Sequence, residues 1–230
     1  MQDLAPRELP TATGRVPLFP LPNIVLFPHA LLPLQIFEPR YRQMTEDALV
    51  GDQLIAMAKL KSGWEGAPHD PNPAIHSVVG VGRIVGHRRL DDGRFHLLLH
   101  GLQRARIVEE VPNDRLYRTA RITWCPDEST GLSSKDERVI CQELVQQFRE
   151  SFPVSPTPEA LEKLIASRES LGTICDLMAA AGSLPPQITQ ELLEELQPLR
   201  RAMLLRTLLK QRAATERSPV REFPPLFSRN

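Results

Sequence analysis

The chain has 230 residues, of which 41% are hydrophobic and 24% are charged, so it can bury a substantial core as one large or two small domains. Its 28 basic and 28 acidic residues give a formal net charge of zero, so no whole-molecule field draws it toward nucleic acid or a membrane. Its 3 widely separated cysteines do not form a disulfide framework, and with no membrane-spanning run or secretion signal they predict a cytoplasmic protein.

The front of the chain is dominated by an apolar segment that prolines interrupt. Residues 1–14 are polar and are predicted to be a flexible N-terminus. Residues 16–41 are almost wholly apolar, but prolines at positions 17, 20, 22, 28, 33 and 39 exclude a helix and a central strand. We therefore expect two short strands joined by extended turns. The aromatic side chains of this segment are predicted to lie in the core: Phe19, Phe27, Phe37 and Tyr41.

A helix and a series of further strands follow. Helical spacing with Pro39 at its first position predicts a helix over residues 39–50. Patterns typical of strands occupy residues 53–59, 77–89, 95–100, 104–111 and 117–124. Between the first two of them, the Gly- and Pro-rich residues 60–76 predict a long surface loop. Together these elements predict a highly curved antiparallel sheet, or open β pseudo-barrel with one early helix, over residues 15–126.

The pattern is helical after Cys125-Pro126. Apolar residues at helical spacing predict an α-helical bundle over residues 127–212, followed by a C-terminal tail over residues 213–230. Ser134 and Glu137 fit a capping box at the start of the first of these helices. The fold class is therefore α+β, with the β domain first.

Five short motifs of the front half occur in a recognisable order. They are Pro17-Leu18-Phe19-Pro20-Leu21, Val25-Leu26-Phe27-Pro28, Phe37-Glu38-Pro39-Arg40-Tyr41, Val79-Gly80-Val81-Gly82-Arg83-Ile84 and Gly101-Leu102-Gln103-Arg104-Ala105-Arg106-Ile107. They resemble the N-terminal, substrate-binding domain of Lon proteases, and the resemblance covers about residues 16–212. It implies a PUA-like β barrel followed by a helical bundle. It also implies binding of unfolded or partly folded protein segments, in protein quality control or as an adaptor for a separate protease or chaperone.

The sequence offers no candidate catalytic, cofactor or metal site. It contains no Gly-x4-Gly-Lys-Ser/Thr loop for phosphate, and its lysines do not resemble the catalytic surroundings of a Ser–Lys protease, which predicts a non-catalytic, stand-alone recognition domain. The glycines at positions 80, 82 and 86 lack the following helix of a dinucleotide site and are predicted to relieve strand curvature. His96 and His100 lack the further ligands that a metal needs.

Candidate contact residues for a peptide or partner are Trp64, Arg88 and Arg94. Trp64 either projects from the loop as a contact for a client or folds back onto the barrel. The two arginines would anchor polar groups beside an apolar groove, either between barrel and bundle or along the barrel face.

Two alternative functions remain open, RNA binding by the arginine-bearing face of the barrel and a residual peptidase activity. Interspersed acidic residues disfavour nucleic acid, since binding to phosphate backbones needs concentrated positive charge. The arginines of the barrel strands, Arg104 among them, are accordingly predicted to lie on a solvated face. Arg201 is likewise predicted on the solvated face of the last helix.

Overall fold

In the computed structural model, strands occupy the front of the chain and helices the back. It describes residues 15–66, 72–152, 157–166 and 168–217, so the predicted flexible segment 1–14 and the tail beyond residue 217 lie outside the described residues. The strands are β1 (Arg15–Leu21), β2 (Leu31–Ile36), β3 (Leu54–Lys59), β4 (Val78–Arg89), β5 (Phe95–Val111) and β6 (Thr119–Trp124). The helices are α1 (Pro39–Val50), α2 (Ser134–Ser151), α3 (Thr157–Ala166), α4 (Leu171–Ala181), α5 (Pro186–Glu194) and α6 (Pro198–Arg217).

The strands form one mixed sheet in the order β2-β5-β4-β3-β1-β6. The 17-residue β5 also pairs with β6, so the sheet closes on itself as a barrel. The prediction of a wholly antiparallel sheet was wrong in one place, because β1 and β3 are parallel, with Leu18 opposite Ala56. Their connection contains β2 and α1, and such a crossover, unlike a hairpin, can join parallel strands.

The segment between β1 and β2 crosses the barrel wall at very short range. A Cβ atom on Gly80 would lie 1.8 Å from the carbonyl oxygen of Leu26, and one on Gly101 would lie 1.9 Å from that of Phe27. The Gly101 N–H donates a hydrogen bond to the Ala30 carbonyl at 2.8 Å. These glycines are therefore required by close backbone contact, a more specific cause than the predicted strand curvature.

Three of the four aromatic residues predicted in the core are buried there. Phe19, Phe27 and Tyr41 are each at most 4% exposed, and the ring centroids of Phe19 and Tyr41 are 4.3 Å apart. The prediction was wrong for Phe37, whose side chain is 64% exposed. Successive residues of an extended chain point to opposite sides, and the preceding Ile36 points into the core.

The helices pack against the barrel through a shared core. Phe27, Ala30 and Val78 of the β domain belong to the same buried cluster as residues of α2, α4, α5 and α6. The side-chain amide of Gln190 on α5 also donates a hydrogen bond to the Val78 carbonyl at 3.0 Å. Packed side chains therefore occupy the place where one of the two predicted grooves, that between barrel and bundle, would lie.

The ends of two helices differ from the predicted ones. Ser133, not Ser134, caps α2, because its hydroxyl accepts a hydrogen bond from the Asp136 N–H at 3.2 Å. The last helix continues to Arg217 rather than ending at residue 212. The additional residues lack the apolar periodicity on which the prediction relied, but they include good helix formers. Among the described residues, no helix combines the length and the apolar character needed to span a bilayer.

Buried charges join the barrel to the helices. Arg104 on β5 donates two hydrogen bonds to Asp176 on α4, at 2.8 and 2.5 Å, and a third to the Leu193 carbonyl at 2.9 Å. Arg201 on α6 donates to Asp127 at 2.7 Å, and its Nε lies 3.5 Å from Asp176. The prediction of solvated positions was wrong for Arg104 and Arg201, which are 2% and 1% exposed. Each is buried because a carboxylate far away in the sequence meets it.

We expect Gly80→Ala to lower the free energy of unfolding by roughly 3 kcal/mol or more, because the new methyl group overlaps backbone that cannot move cheaply. Gly86→Ala is the matched control, since the nearest atom to its Cβ would be the Leu98 Cβ at an ordinary 3.6 Å. It should change stability by less than about 1 kcal/mol. Urea denaturation followed by circular dichroism measures both; equal losses would contradict the close contact.

Asp176→Asn should destabilise the protein by about 3–5 kcal/mol, because Arg104 and Arg201 then stay buried with one carboxylate fewer. The control is Asp92→Asn, which removes a carboxylate that is 51% exposed and pairs with Arg94. Solvent screens an exposed pair, so this variant should lose far less stability than Asp176→Asn. Urea midpoints compare the two variants, and similar small losses in both would show that the buried network is not needed for stability.

Candidate functional site

A cleft of about 760 Å³ lies beside the barrel, where β1 ends. Its walls come from four segments: the end of β1, the start of α1, the loop after β3 and the loop between β5 and β6. We call it the Trp64 cleft. It is lined by residues 20–22, 38, 40, 41, 60, 64, 72, 73, 110–113 and 115–119.

Tyr41 forms one wall of the cleft from the first turn of α1. Its hydroxyl donates a hydrogen bond to the Pro20 carbonyl at 3.4 Å, and its ring packs on Phe19. The guanidinium of Arg40 lies 4.5 Å from the centre of the Tyr41 ring and pairs with Glu38 at 2.9 Å. Burial raises the pKa of Tyr41, so this wall is neutral and aromatic at physiological pH.

The loop between β5 and β6 holds an exposed leucine in a fixed position. The Asn113 side chain donates to the Tyr117 carbonyl at 3.3 Å and to the Thr119 hydroxyl at 2.9 Å. The N–H of Leu116 donates to the side chain of Gln43 on α1 at 2.8 Å. Leu116 is nevertheless 65% exposed. A large apolar side chain on a braced loop is typical of a contact surface.

Tyr117 ties this loop to α1. Its hydroxyl donates a hydrogen bond to Asp47 at 2.9 Å, and the Arg115 Nε lies 3.4 Å from the same carboxylate. Burial, together with the hydrogen bond to Asp47 and the charge of that group, raises the pKa of Tyr117 to about 12. The hydroxyl therefore stays protonated and bonded over the whole physiological range.

Trp64, on the loop after β3, forms another wall of the cleft. It begins a short 3₁₀ helix, Trp64–Gly66, and is half-buried. Arg118 anchors the far end of the loop, because it donates a hydrogen bond to the Pro73 carbonyl at 2.8 Å while its Nε donates to Glu110 at 2.7 Å. Trp64 is thus partly shielded from solvent and lines the cleft.

The cleft combines apolar walls with arginines whose charge is balanced nearby. Prolines at positions 20, 22, 73 and 112 line it together with Trp64 and Leu116. Its three arginines each lie beside a carboxylate: Arg40 by Glu38, Arg115 by Asp47 and Arg118 by Glu110. Such a site suits an apolar segment that makes polar contacts at its rim. Within the described residues, no group of three or more His, Cys, Asp and Glu side chains could hold a metal.

The structure separates the three predicted contact residues. Trp64 lines the cleft, whereas Arg88 and Arg94 do not. Arg88 is exposed on β4 opposite His96, and Arg94 in the β4–β5 turn pairs with Asp92 at 2.6 Å. Sequence reasoning missed Leu116, although a leucine directly after the polar residues 113–115 was a usable signal.

Comparison with known families identifies one that matches most of the chain. Residues 15–211 match the model of the ATP-dependent protease La (LON) substrate-binding domain. Lon protease 2 of Myxococcus xanthus is 29% identical over 199 residues, which are 86% of this chain and 24% of that protein. Lon protease of Azospirillum brasilense is 30% identical over 77% of this chain and 22% of its own length. The chain thus spans about a quarter of these relatives.

Two solved structures share the fold. A crystal structure of a Lon N-terminal domain protein from Xanthomonas campestris aligns with a TM-score of 0.59 and 22% identity, covering 86% of this chain and 98% of that one. The N-terminal domain of the Mycobacterium avium complex Lon protease aligns with a TM-score of 0.66 and 14% identity, with the same coverage. At these identities the likeness establishes the fold.

We expect the Tyr117 hydroxyl to ionise near pH 12 in the folded protein and near pH 10 when urea unfolds it. Tyr41→Phe leaves Tyr117 as the only tyrosine of the 2 in the chain, and the ultraviolet absorbance of tyrosinate follows it. Because the folded pKa is raised, the associated stability is present below pH 10 and is lost as the pH rises through about 12.

Two carboxylate variants test the cause of this raised pKa. Asp47→Asn should lower the pKa of Tyr117, because it removes the charge at the hydrogen-bonded position. Asp114→Asn, at a side chain that is 98% exposed, should have a much smaller effect. Equal shifts in the two variants would show that Asp47 has no special part in holding the loop.

Proposed function

This chain belongs to the family of Lon substrate-binding domains, and we propose that it is a non-catalytic recognition module which binds exposed apolar segments of unfolded or partly folded proteins in the Trp64 cleft. The observation that carries the proposal is the position of Leu116. It is 65% exposed, yet hydrogen bonds to α1 brace its loop, and it lines the same cleft as Trp64.

Burial of apolar surface would supply most of the binding free energy. Fully burying a leucine-sized side chain contributes about 1.5–3 kcal/mol, and a second apolar residue seated against Trp64 would add a similar amount. The braced loop between β5 and β6 would lose little conformational freedom on binding, which keeps the entropic cost low. Arg40, Arg115 and Arg118 at the rim would donate hydrogen bonds to backbone carbonyls of the bound segment.

We further propose that the chain acts as an adaptor. Its relatives are Lon proteases of about four times the length, and this chain matches the part of them that the family model describes as substrate-binding. In the proposal, the chain cleaves nothing itself and presents the bound segment to a separate protease or chaperone. We also assign its barrel, which five strands close and to which β2 is added beside β5, to the PUA-like class.

Protein binding is better supported than RNA binding. Several barrel arginines lie beside carboxylates: Arg89 near Glu46, Arg94 near Asp92, Arg118 near Glu110 and Arg121 near Glu109. Paired charges of this kind do not build the concentrated positive field on which binding to a phosphate backbone depends. No geometry among the described residues favours the residual peptidase.

The change Leu116→Asp should weaken binding of a permanently unfolded client about tenfold, because an ionised carboxylate replaces buried leucine surface. Reduced, carboxymethylated ribonuclease A, which contains no tryptophan, is a suitable client. Trp124→Phe leaves Trp64 as the only tryptophan of the 2 in the chain, so its fluorescence reports on the cleft directly. On denaturing gels, the client should stay intact after incubation.

The matched control is Val50→Asp, which introduces the same charge at a side chain that is 92% exposed at the end of α1 and does not line the cleft. It should bind the client as the parent does. Equal affinity in the parent, Leu116→Asp and Val50→Asp proteins would place recognition elsewhere, and client fragments on the gel would contradict the non-catalytic assignment.

A further inference from the structure

A second surface, remote in sequence from most of the Trp64 cleft, lies on the outside of β2, β5 and β4. Strand pairing arranges its residues in three rows. We call it the outer face. Its first row is Arg83, His100 and Leu31; its second is Gly86, Leu98 and Pro33; its third is Arg88, His96 and Gln35. The intervening residues Ile84, Leu99, Leu97 and Leu34 are buried, so the rows point outward.

Basic side chains stand at both ends of the outer face. Arg83 and His100 occupy the first row, and Arg88 and His96 the third. His29 lies near the first row, because its N–H donates to the Gly101 carbonyl at 2.8 Å. Residues 31–36, 83–89 and 95–100, which form these strand segments, include no aspartate or glutamate. These strand segments themselves therefore contribute only basic ionisable side chains, although the formal net charge of the whole chain is zero.

The middle of the outer face is apolar and exposed. Leu31 is 60% exposed, and Val85, at an irregularity between β4 and β5, is 38% exposed. Leu98 is half-buried and Pro33 exposed beside them. Gly86 has no side chain, so the surface of the sheet forms a depression at this point, with space above Leu98.

Within the part of the chain that the structure describes, no carboxylate pairs with the first row. Burial lowers the pKa of His100, and the nearby His29 and Arg83 lower it further. The Nε of Arg83 is buried and has no hydrogen-bond partner among the described residues. A carboxylate brought to this row would meet a cation that is already desolvated in part.

We propose that the outer face docks an extended protein segment in which an apolar residue lies between two acidic residues at alternate positions. Side chains at i, i+2 and i+4 of an extended chain point to one side in steps of about 6.6 Å, which is also the step between rows of a sheet. The acidic residues would meet the first and third rows, and the apolar residue would pack on Leu98 and Leu31.

The segment would bind through side chains rather than by adding a strand. Among the described residues, β2 pairs only with β5 and so has an open edge, but Pro33 at its centre lacks an N–H. An added strand would meet an incomplete row of hydrogen-bond donors. The outer face, by contrast, offers charge and apolar area that do not depend on that edge.

The test uses a fluorescein-labelled peptide, Gly-Ser-Glu-Ser-Leu-Ser-Glu-Ser-Gly, and fluorescence anisotropy at low salt. The peptide should bind the parent protein, and Arg88→Glu should weaken binding at least about tenfold, because a repulsive charge replaces an attractive one. Arg106→Glu is the control, since Arg106 is an exposed arginine on the same strand as His96 but outside the three rows. Binding should then stay within about twofold of the parent.

Several outcomes overturn the proposal. Equal weakening by Arg88→Glu and Arg106→Glu would indicate unspecific attraction of charge. Undiminished binding of a peptide with glutamine in place of both glutamates would exclude the carboxylate contacts. Absence of peptide binding, with tight binding of a labelled oligouridylate that Arg88→Glu abolishes, would make the face a site for RNA. Leu116→Asp should leave peptide binding unchanged, so failure here and failure of the Trp64 cleft are distinguishable.

Discussion

The whole arrangement depends on the pairing of three buried charges, Arg104, Arg201 and Asp176, which Asp127 completes from a solvent-accessible position. Removing the three buried charges from water is costly, and only the complete set of partners compensates for it. The partners come from β5, α4, α6 and the connection after β6, so no part of the chain can satisfy them alone. A Cβ atom on Gly172 would lie 2.0 Å from the Asp127 carboxylate. The close approach of α4 to this network therefore also depends on a glycine. Barrel and helices are therefore joined by buried charges as well as by a shared core.

The proline-interrupted segment has a related effect on the barrel. Its backbone crosses β4 and β5 so closely that only glycine fits at positions 80 and 101. Prolines stiffen the segment, and the close backbone contact fixes the distance between the segment and the strands. The same segment then delivers Pro39 to the start of α1, whose first turn forms one wall of the Trp64 cleft. The position of the cleft thus depends on the stiffness of the prolines and on the close backbone contact that the two glycines allow.

Local patterns in the sequence were enough to predict the order of the strands and helices, but not the contacts between them. Helical spacing and Pro39 predicted α1 at the bounds it has, since both signals act within a few residues. The parallel pairing of β1 and β3 could not be predicted in this way, because it depends on how the crossover through α1 folds back. Arg104 illustrates the same limit. In an alternating strand it has the pattern of a solvated residue, and only Asp176, at a sequence separation of 72, makes its burial possible.

The Trp64 cleft could be predicted in part from the sequence, whereas the outer face could not. Trp64 was recognisable because an aromatic residue in a Gly- and Pro-rich loop is unusual, but three other segments of the chain contribute to the cleft. The outer face emerges only when the register of β2, β5 and β4 is known, since its basic and apolar residues are interleaved with buried ones in the sequence. A closed barrel leaves few strand edges for partners to extend. Recognition by such a fold must therefore use side chains on its outside, in a cleft between loops or on a bare face of the sheet.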